Sequence, residues 1–147
     1  MNWGRTERAV AKLFGGQVVN DRERQFNDID VQAAEITISV KNQFACSYTG
    51  NISLELALFN AAGEAIPGNW YRCRADALAI AVKRSLYVWD TKSLNAWVYG
   101  NWDGLVCKRL RHETVMTNIE LGREYCDALN LLIPLNKIEQ LGDKYEI

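Results

Sequence analysis

Residues 52–59 leave the chain little conformational choice, because Ile52, Leu54, Leu56 and Leu58 alternate with Ser53, Glu55, Ala57 and Phe59. A period of two puts four large aliphatic side chains on one face of an extended strand, and that face has to meet a core. Residues 36–41 repeat the pattern, with Ile36, Ile38 and Val40 on one side and Thr37, Ser39 and Lys41 on the other. A polar connector ending in Thr49-Gly50-Asn51 joins the two. Residues 75–82 and 86–89 form a further pair of predicted strands around Lys83-Arg84-Ser85, and residues 105–110 read as another. Residues 5–13 place Val10 and Leu13 at helical spacing ahead of a Gly15-Gly16 stop, and Pro134 opens a last helix over residues 135–141, stopped by Gly142. Thr91 or Ser93 caps a short helix running through Trp97. Residues 19–27 read as a polar connector and residues 63–68 as a break. The expected fold class is α+β, a mixed, mostly antiparallel central sheet flanked by helices, in one domain over residues 1–147.

Composition excludes several function classes. With 48 % apolar residues, 24 % charged and two prolines, the chain has a globular rather than a disordered make-up. The N-terminus has no continuous apolar segment and does not read as a signal peptide. The longest apolar run, residues 77–82, is too short to span a bilayer. The expectation is a soluble, cytoplasmic protein with no membrane partner. Cys46, Cys73, Cys107 and Cys126 form no close pair and His112 is the one histidine, so a structural zinc site is not expected. Reduced, mostly buried thiols are. The net charge of −1 lacks the basic excess usual in nucleic-acid binders. Local clusters (Arg5 and Arg8, Arg72 and Arg74, Lys108, Arg109 and Arg111) would serve as a basic rim around an acidic site.

One constellation carries chemistry. A hairpin turn centred between Ala34 and Glu35 would set Asp30 opposite Ser39 and Asp28 opposite Lys41, so that both acids, the serine and the lysine share a face. A turn shifted by one residue breaks that pairing. If the strand over residues 52–59 runs antiparallel to the lysine strand, Glu55 returns to the same face. Close carboxylates repel unless a cation lies between them, and oxygen-rich sites favour Mg²⁺ or Mn²⁺. A neighbouring lysine orients an attacking water and offsets charge developing on a phosphate.

The Asp…Ser39-Val-Lys41-Asn-Gln43 segment, followed by Thr49-Gly50-Asn51-Ile-Ser-Leu-Glu55, Gly68-Asn69-Trp70 and Ala75-Asp76, resembles the PD-(D/E)XK (restriction-endonuclease-like) nucleases, in a version found in small phage and prophage members. The resemblance covers roughly residues 26–90. It implies a restriction-endonuclease-like fold and a metal-dependent endonuclease that hydrolyses DNA phosphodiester bonds, including those of branched or junction DNA. It further implies Mg²⁺ (or Mn²⁺) as cofactor, a homodimer, and the host cytoplasm if the protein is phage-encoded. Asp30 or Asp28 would be the metal-bridging acid, with Asp30 favoured because it would oppose Ser39. Glu55 would be the second ligand, and Lys41 would position the water. Ser39, Gln43, Arg72 and Arg74 would contact substrate. The family's usual acid two residues before the lysine is Ser39 here. Either Glu55 supplies that acid from downstream, or the site is a relic in a catalytically inactive protein that binds DNA or a host defence protein.

The remaining polar features have blander readings. Glu7 is read as part of a solvated helix face, although some members of the family place a ligand there. Asp76 opens a strand. The five tryptophans (Trp3, Trp70, Trp89, Trp97, Trp102) are core or interface anchors unless they stack on bases. His112 is read as a surface residue beside phosphate.

Overall fold

A computed structural model describes residues 3–60, 62–118 and 123–147, with the backbone alone for Trp3, residues 111–118 and residues 123–126. The expectations attached to the side chains of Trp3, His112 and Cys126 therefore lie outside the described residues. The chain begins with α1 (Trp3–Phe14) and continues through β1 (Gln17–Val18), α2 (Arg22–Phe26), β2 (Val31–Ala33) and β3 (Ile36–Asn42). Then come α3 (Cys46–Thr49), β4 (Asn51–Phe59), β5 (Ala65–Pro67), α4 (Asn69–Arg72), β6 (Ala77–Val82), β7 (Ser85–Asp90) and α5 (Thr91–Gly100). The last third holds a long hairpin, β8 (Val106–Asn118) and β9 (Arg123–Pro134), then α6 (Leu135–Ile138) and β10 (Asp143–Glu146).

The strands form two sheets where the sequence suggested one. The larger has the order β1-β2-β3-β6-β7-β10, and the smaller, antiparallel throughout, has the order β5-β4-β9-β8. Within the larger sheet only β3 and β6 run parallel, Ile38 standing opposite Ala77 and Lys41 opposite Ile80. Parallel neighbours cannot be joined by a tight turn. Here the crossover holds β4, β5 and α4, so the connection itself supplies two of the four strands of the second sheet.

Both faces of the larger sheet are covered, which is why β6 reads as a continuous apolar run instead of an alternating one. On one face Val10 and Ala11 of α1 pack against Val31, Ala33, Ile38, Val40, Ala79, Ala81 and Leu86. On the other, Leu78, Ile80, Tyr87 and Trp89 meet Ile52, Leu54 and Leu56 of β4, Leu131 and Ile133 of β9, and Leu94 and Val98 of α5. The period-two pattern of β4 is therefore buried as its sequence requires. α1 ends where expected: Gly15 has φ +67° and the Gly16 N–H donates to the Ala11 carbonyl at 2.7 Å.

Several local expectations need correction. The cap of α5 is Asp90, whose carboxylate accepts from the Ser93 N–H, and the helix runs on to Gly100. Residues 19–27, read as a connector, contain α2, capped by Asp21, and the supposed break at 63–68 contains β5. The final helix is α6 alone, followed by a 3-10 turn, Glu139–Leu141. Among the described residues no helix is long and apolar enough to cross a membrane.

Trp89 ties this core together. Its ring is 1 % exposed, and its indole N–H donates to the Ile138 carbonyl at 2.8 Å, joining β7 to α6. Trp89→Phe leaves that carbonyl unpaired and a space beside it. Urea unfolding is expected to show a loss of about 2–4 kcal/mol; a loss near zero would mean that the bond is not needed to dock α6.

Candidate functional site

The hairpin register is the one that the turn between Ala34 and Glu35 requires: Ala33 pairs with Ile36, Gln32 with Thr37 and Val31 with Ile38. Beyond Val31 the ladder slips. The Asp30 N–H donates to the Ile38 carbonyl at 2.9 Å, and the Asp30 carboxylate accepts from the Val40 N–H at 2.7 Å. Asp30 therefore does not meet the Ser39 hydroxyl, which was the reason to favour it over Asp28.

Asp28 takes that place. It follows Asn27, the C-cap of α2, and is in the left-handed conformation with φ +60°. The Ile29 N–H reaches back to the Arg24 carbonyl at 2.9 Å and the Asp28 N–H to the Gln25 carbonyl at 3.0 Å, the pair of bonds that closes a Schellman cap. Glycine is usual at such a position, and aspartate tolerates it better than most residues. The conformation aims the Asp28 side chain at β3. Ser39, fully buried, donates its hydroxyl to Asp28 Oδ2 at 2.8 Å, and the Lys41 ammonium pairs with Asp28 Oδ1.

Around this pair the charge is unbalanced. Lys41 also acts electrostatically on Asp30 and on Glu7, which projects from α1. Burial pushes the Asp30 carboxyl above its ordinary value, with Asp28 adding to the rise against the lowering effects of Lys41 and the Val40 N–H. Glu7 is raised as well, first by burial and then by Asp30, so it belongs to the acid cluster and not to a solvated helix face. The Cys73 thiol beside them is held up by burial and then by Asp28. Three carboxylates thus share one lysine.

Glu55 approaches from the other side. Its Oε1 accepts the Asn69 N–H at 3.1 Å, at the start of α4. The two segments touch so closely that a Cβ on Gly68 would lie 2.7 Å from the Glu55 carbonyl carbon and 2.8 Å from its Cγ. Asp28, Lys41, Gln43 and Glu55 all line one cavity of about 820 Å³, together with residues of α4, α5, β8 and β9. Two residues of that lining, Asn42 and Thr91, each have a buried side-chain atom, Nδ2 and Oγ1, with no hydrogen-bond partner among the described residues. The Asn42 Oδ1 accepts from the Thr6 hydroxyl of α1 at 2.8 Å.

The other predicted residues divide. Ser39 and Asp30 stand behind the cavity wall, and neither lines it. The Gln43 amide is taken up by the Ser53 backbone, donating to its carbonyl and accepting its N–H at 2.7 Å each; it fastens β3 to β4 where a phosphate contact was expected. Arg72 donates to the Asn69 side chain and lies over the Phe26 ring, and the exposed Arg74 donates to the Tyr71 carbonyl at 3.1 Å; neither lines the cavity. Asp76 and Thr37 bond reciprocally across the start of β3 and β6, a structural role. Of the described cysteines, Cys46 is buried, Cys73 half-buried and Cys107 exposed, all free. Sequence reasoning missed Asn42 and Thr91 in the lining and underrated Glu7. Glu7 is the one with a signal, an acid on the helix facing the lysine strand. Comparison with known proteins returns no matching family model, curated protein or solved structure.

A carboxyl with a raised folded pKa binds more protons when folded than when unfolded. Its contribution to stability is complete below the unfolded value and is lost as pH rises through the folded one. Asp30→Asn keeps an oxygen for the Val40 N–H and removes the charge. It is expected to raise the urea midpoint at neutral pH and to leave it unchanged in acid below the carboxylate range; an equal shift at both would exclude ionisation as the cause.

Proposed function

We propose that the protein is a metal-dependent endonuclease acting on DNA, with Asp28, Glu55 and Lys41 as its working groups. The observation that carries the proposal is the shared cavity: two carboxylates from different elements and one lysine border the same space. The resemblance to the PD-(D/E)XK nucleases supports the same assignment from the spacing of these residues. The restriction-endonuclease-like fold, and a homodimer that cuts two strands, belong to the proposal through that resemblance alone.

Among the described residues no set of three histidine, cysteine, aspartate or glutamate side chains converges on one point. Magnesium does not need one, since it is commonly held by one or two carboxylates, waters and the substrate's own phosphates. Ser39 and Lys41 occupy one lone pair on each Asp28 oxygen and leave others open. Asp28 and Glu55 thus fit as the protein's share of a Mg²⁺ or Mn²⁺ site, where a bound ion would acidify a water and offset charge on the phosphate.

The chain's own groups then have defined tasks. Ser39 fixes the Asp28 carboxylate by a hydrogen bond at its back. Lys41 presents its ammonium to the water or to the phosphate oxygen that gains charge. In hydrolysis the water oxygen bonds to phosphorus, the bond from phosphorus to one sugar oxygen breaks, and that oxygen leaves as a hydroxyl after taking a proton. A second reading has its own support: Ser39, Asp28 and Lys41 satisfy one another without a ligand, as in a relic that binds DNA or a host defence protein and does not cut.

Cleavage of plasmid and junction DNA with Mg²⁺ or Mn²⁺ separates the two. Wild type is expected to cut, EDTA to abolish cutting, and Asp28→Asn, Glu55→Gln and Lys41→Ala each to reduce it by about a hundredfold or more, with circular dichroism unchanged. A Mn²⁺-induced thermal shift lost in Asp28→Asn and Glu55→Gln tests the ion directly. DNA binding by the wild type with no cutting under either metal selects the relic.

A further inference from the structure

The cavity is a poor fit to a double helix. Asp28 is 8 % exposed and the Lys41 side chain 18 %, so the groups proposed to work on a phosphodiester lie below the surface. A base-paired backbone is held at the outside of a wide, stiff rod, and buried groups can meet it only if the strand leaves the stack. Beside the cavity, the surface carries what such a strand would need. Trp70 lines the wall, its indole N–H donating to Asn95 Oδ1 at 2.8 Å. Trp102 stacks on Trp70 with centroids 6.3 Å apart and planes 22° apart, and Tyr99 stacks on Trp102 at 6.5 Å and 23°. Tyr99 is 62 % exposed and Trp102 37 %. Phe44, exposed and also in the lining, has the Lys83 ammonium 5.7 Å from its ring centre. Exposed rings leading from solvent to a buried wall, with a cation beside one of them, form the combination that binds unpaired bases and the backbone between them.

We propose that the substrate enters as an unpaired strand of DNA, its bases stacking along Tyr99, Trp102 and Trp70 while one phosphodiester descends to Asp28 and Lys41. The proposal rests on the nuclease reading for the chemistry at the bottom of the cavity. It goes beyond it in naming the form of DNA: single strands, flaps or the open centre of a junction, and not intact duplex.

The test is binding, measured in EDTA so that no cutting intervenes. Fluorescence anisotropy of a labelled single-stranded DNA oligonucleotide, the blunt duplex and single-stranded RNA of the same sequence is recorded with wild type, Tyr99→Ala/Trp102→Ala and Tyr99→Phe/Trp102→Phe. Wild type is expected to prefer the single DNA strand over duplex by about tenfold or more. The alanine pair should remove that preference and the phenylalanine pair restore it. Both substituted rings are at the surface, so the fold is expected to survive, and circular dichroism checks it. Equal or tighter duplex binding, indifference to the alanine pair, or a preference for RNA overturns the proposal. Metal-dependent cutting that favours blunt duplex would overturn it and leave the nuclease reading intact. Ring-dependent single-strand binding with no cutting under any metal would do the reverse.

Discussion

Two strands lying side by side in the same direction have to be joined by a detour, and in this protein the detour supplies part of the cavity wall. β3 and β6 are the parallel pair. Leaving β3 after Lys41, the chain has to return to the starting end of the sheet before β6 can begin. It does so through β4, β5 and α4, which bring Glu55 and Trp70 back past the strand that bears the lysine. The cavity is the space left between the sheet and its own crossover, roofed by α5 and walled by the β8–β9 hairpin. The Gln43 amide, bonded to the Ser53 backbone, closes the near end of that space.

Inside it the electrostatic arrangement is held by few bonds. A buried carboxylate is tolerable only when paired, and Asp28 has Lys41 and the Ser39 hydroxyl. The same lysine faces Asp30 and Glu7, so the cluster retains excess negative charge at a depth where water screens it weakly. Under the proposed function that excess would draw a cation to the site. It also makes the neighbouring Cys73 a poor nucleophile, since burial and Asp28 both oppose the thiolate.

Much of the scaffold was legible because it follows from periodicity. The β4 alternation, the Ala34–Glu35 turn, the stop at Gly15 and the β6–β7 pair all follow from spacing and turn residues. The choice between Asp28 and Asp30 did not, because it depends on a slip of the ladder beyond Val31 and on a Schellman cap ending a five-residue helix. That helix is too short to show an apolar stripe, although Asp21 at its start is a readable cap. The smaller sheet was hidden for a different reason. β9 carries its polar residue, Asn130, opposite Glu55 and Lys108, so a pairing across three strands is needed before the pattern has a meaning. Gln43 was misjudged because an amide that mimics a strand's hydrogen bonds looks, in sequence, like any other polar residue near a lysine.

The contact between Gly68 and Glu55 has a consequence for how this molecule can vary. The carboxylate is held from one side by a backbone N–H and from the other by the absence of a single carbon atom. A change at Gly68 alters no charge, no hydrogen-bonding group and no recognisable motif, yet it displaces Glu55 as surely as a change at Glu55 itself. Residue 68 is therefore a silent determinant of the site: drift there would move Glu55 while every acid and the lysine stayed in the sequence.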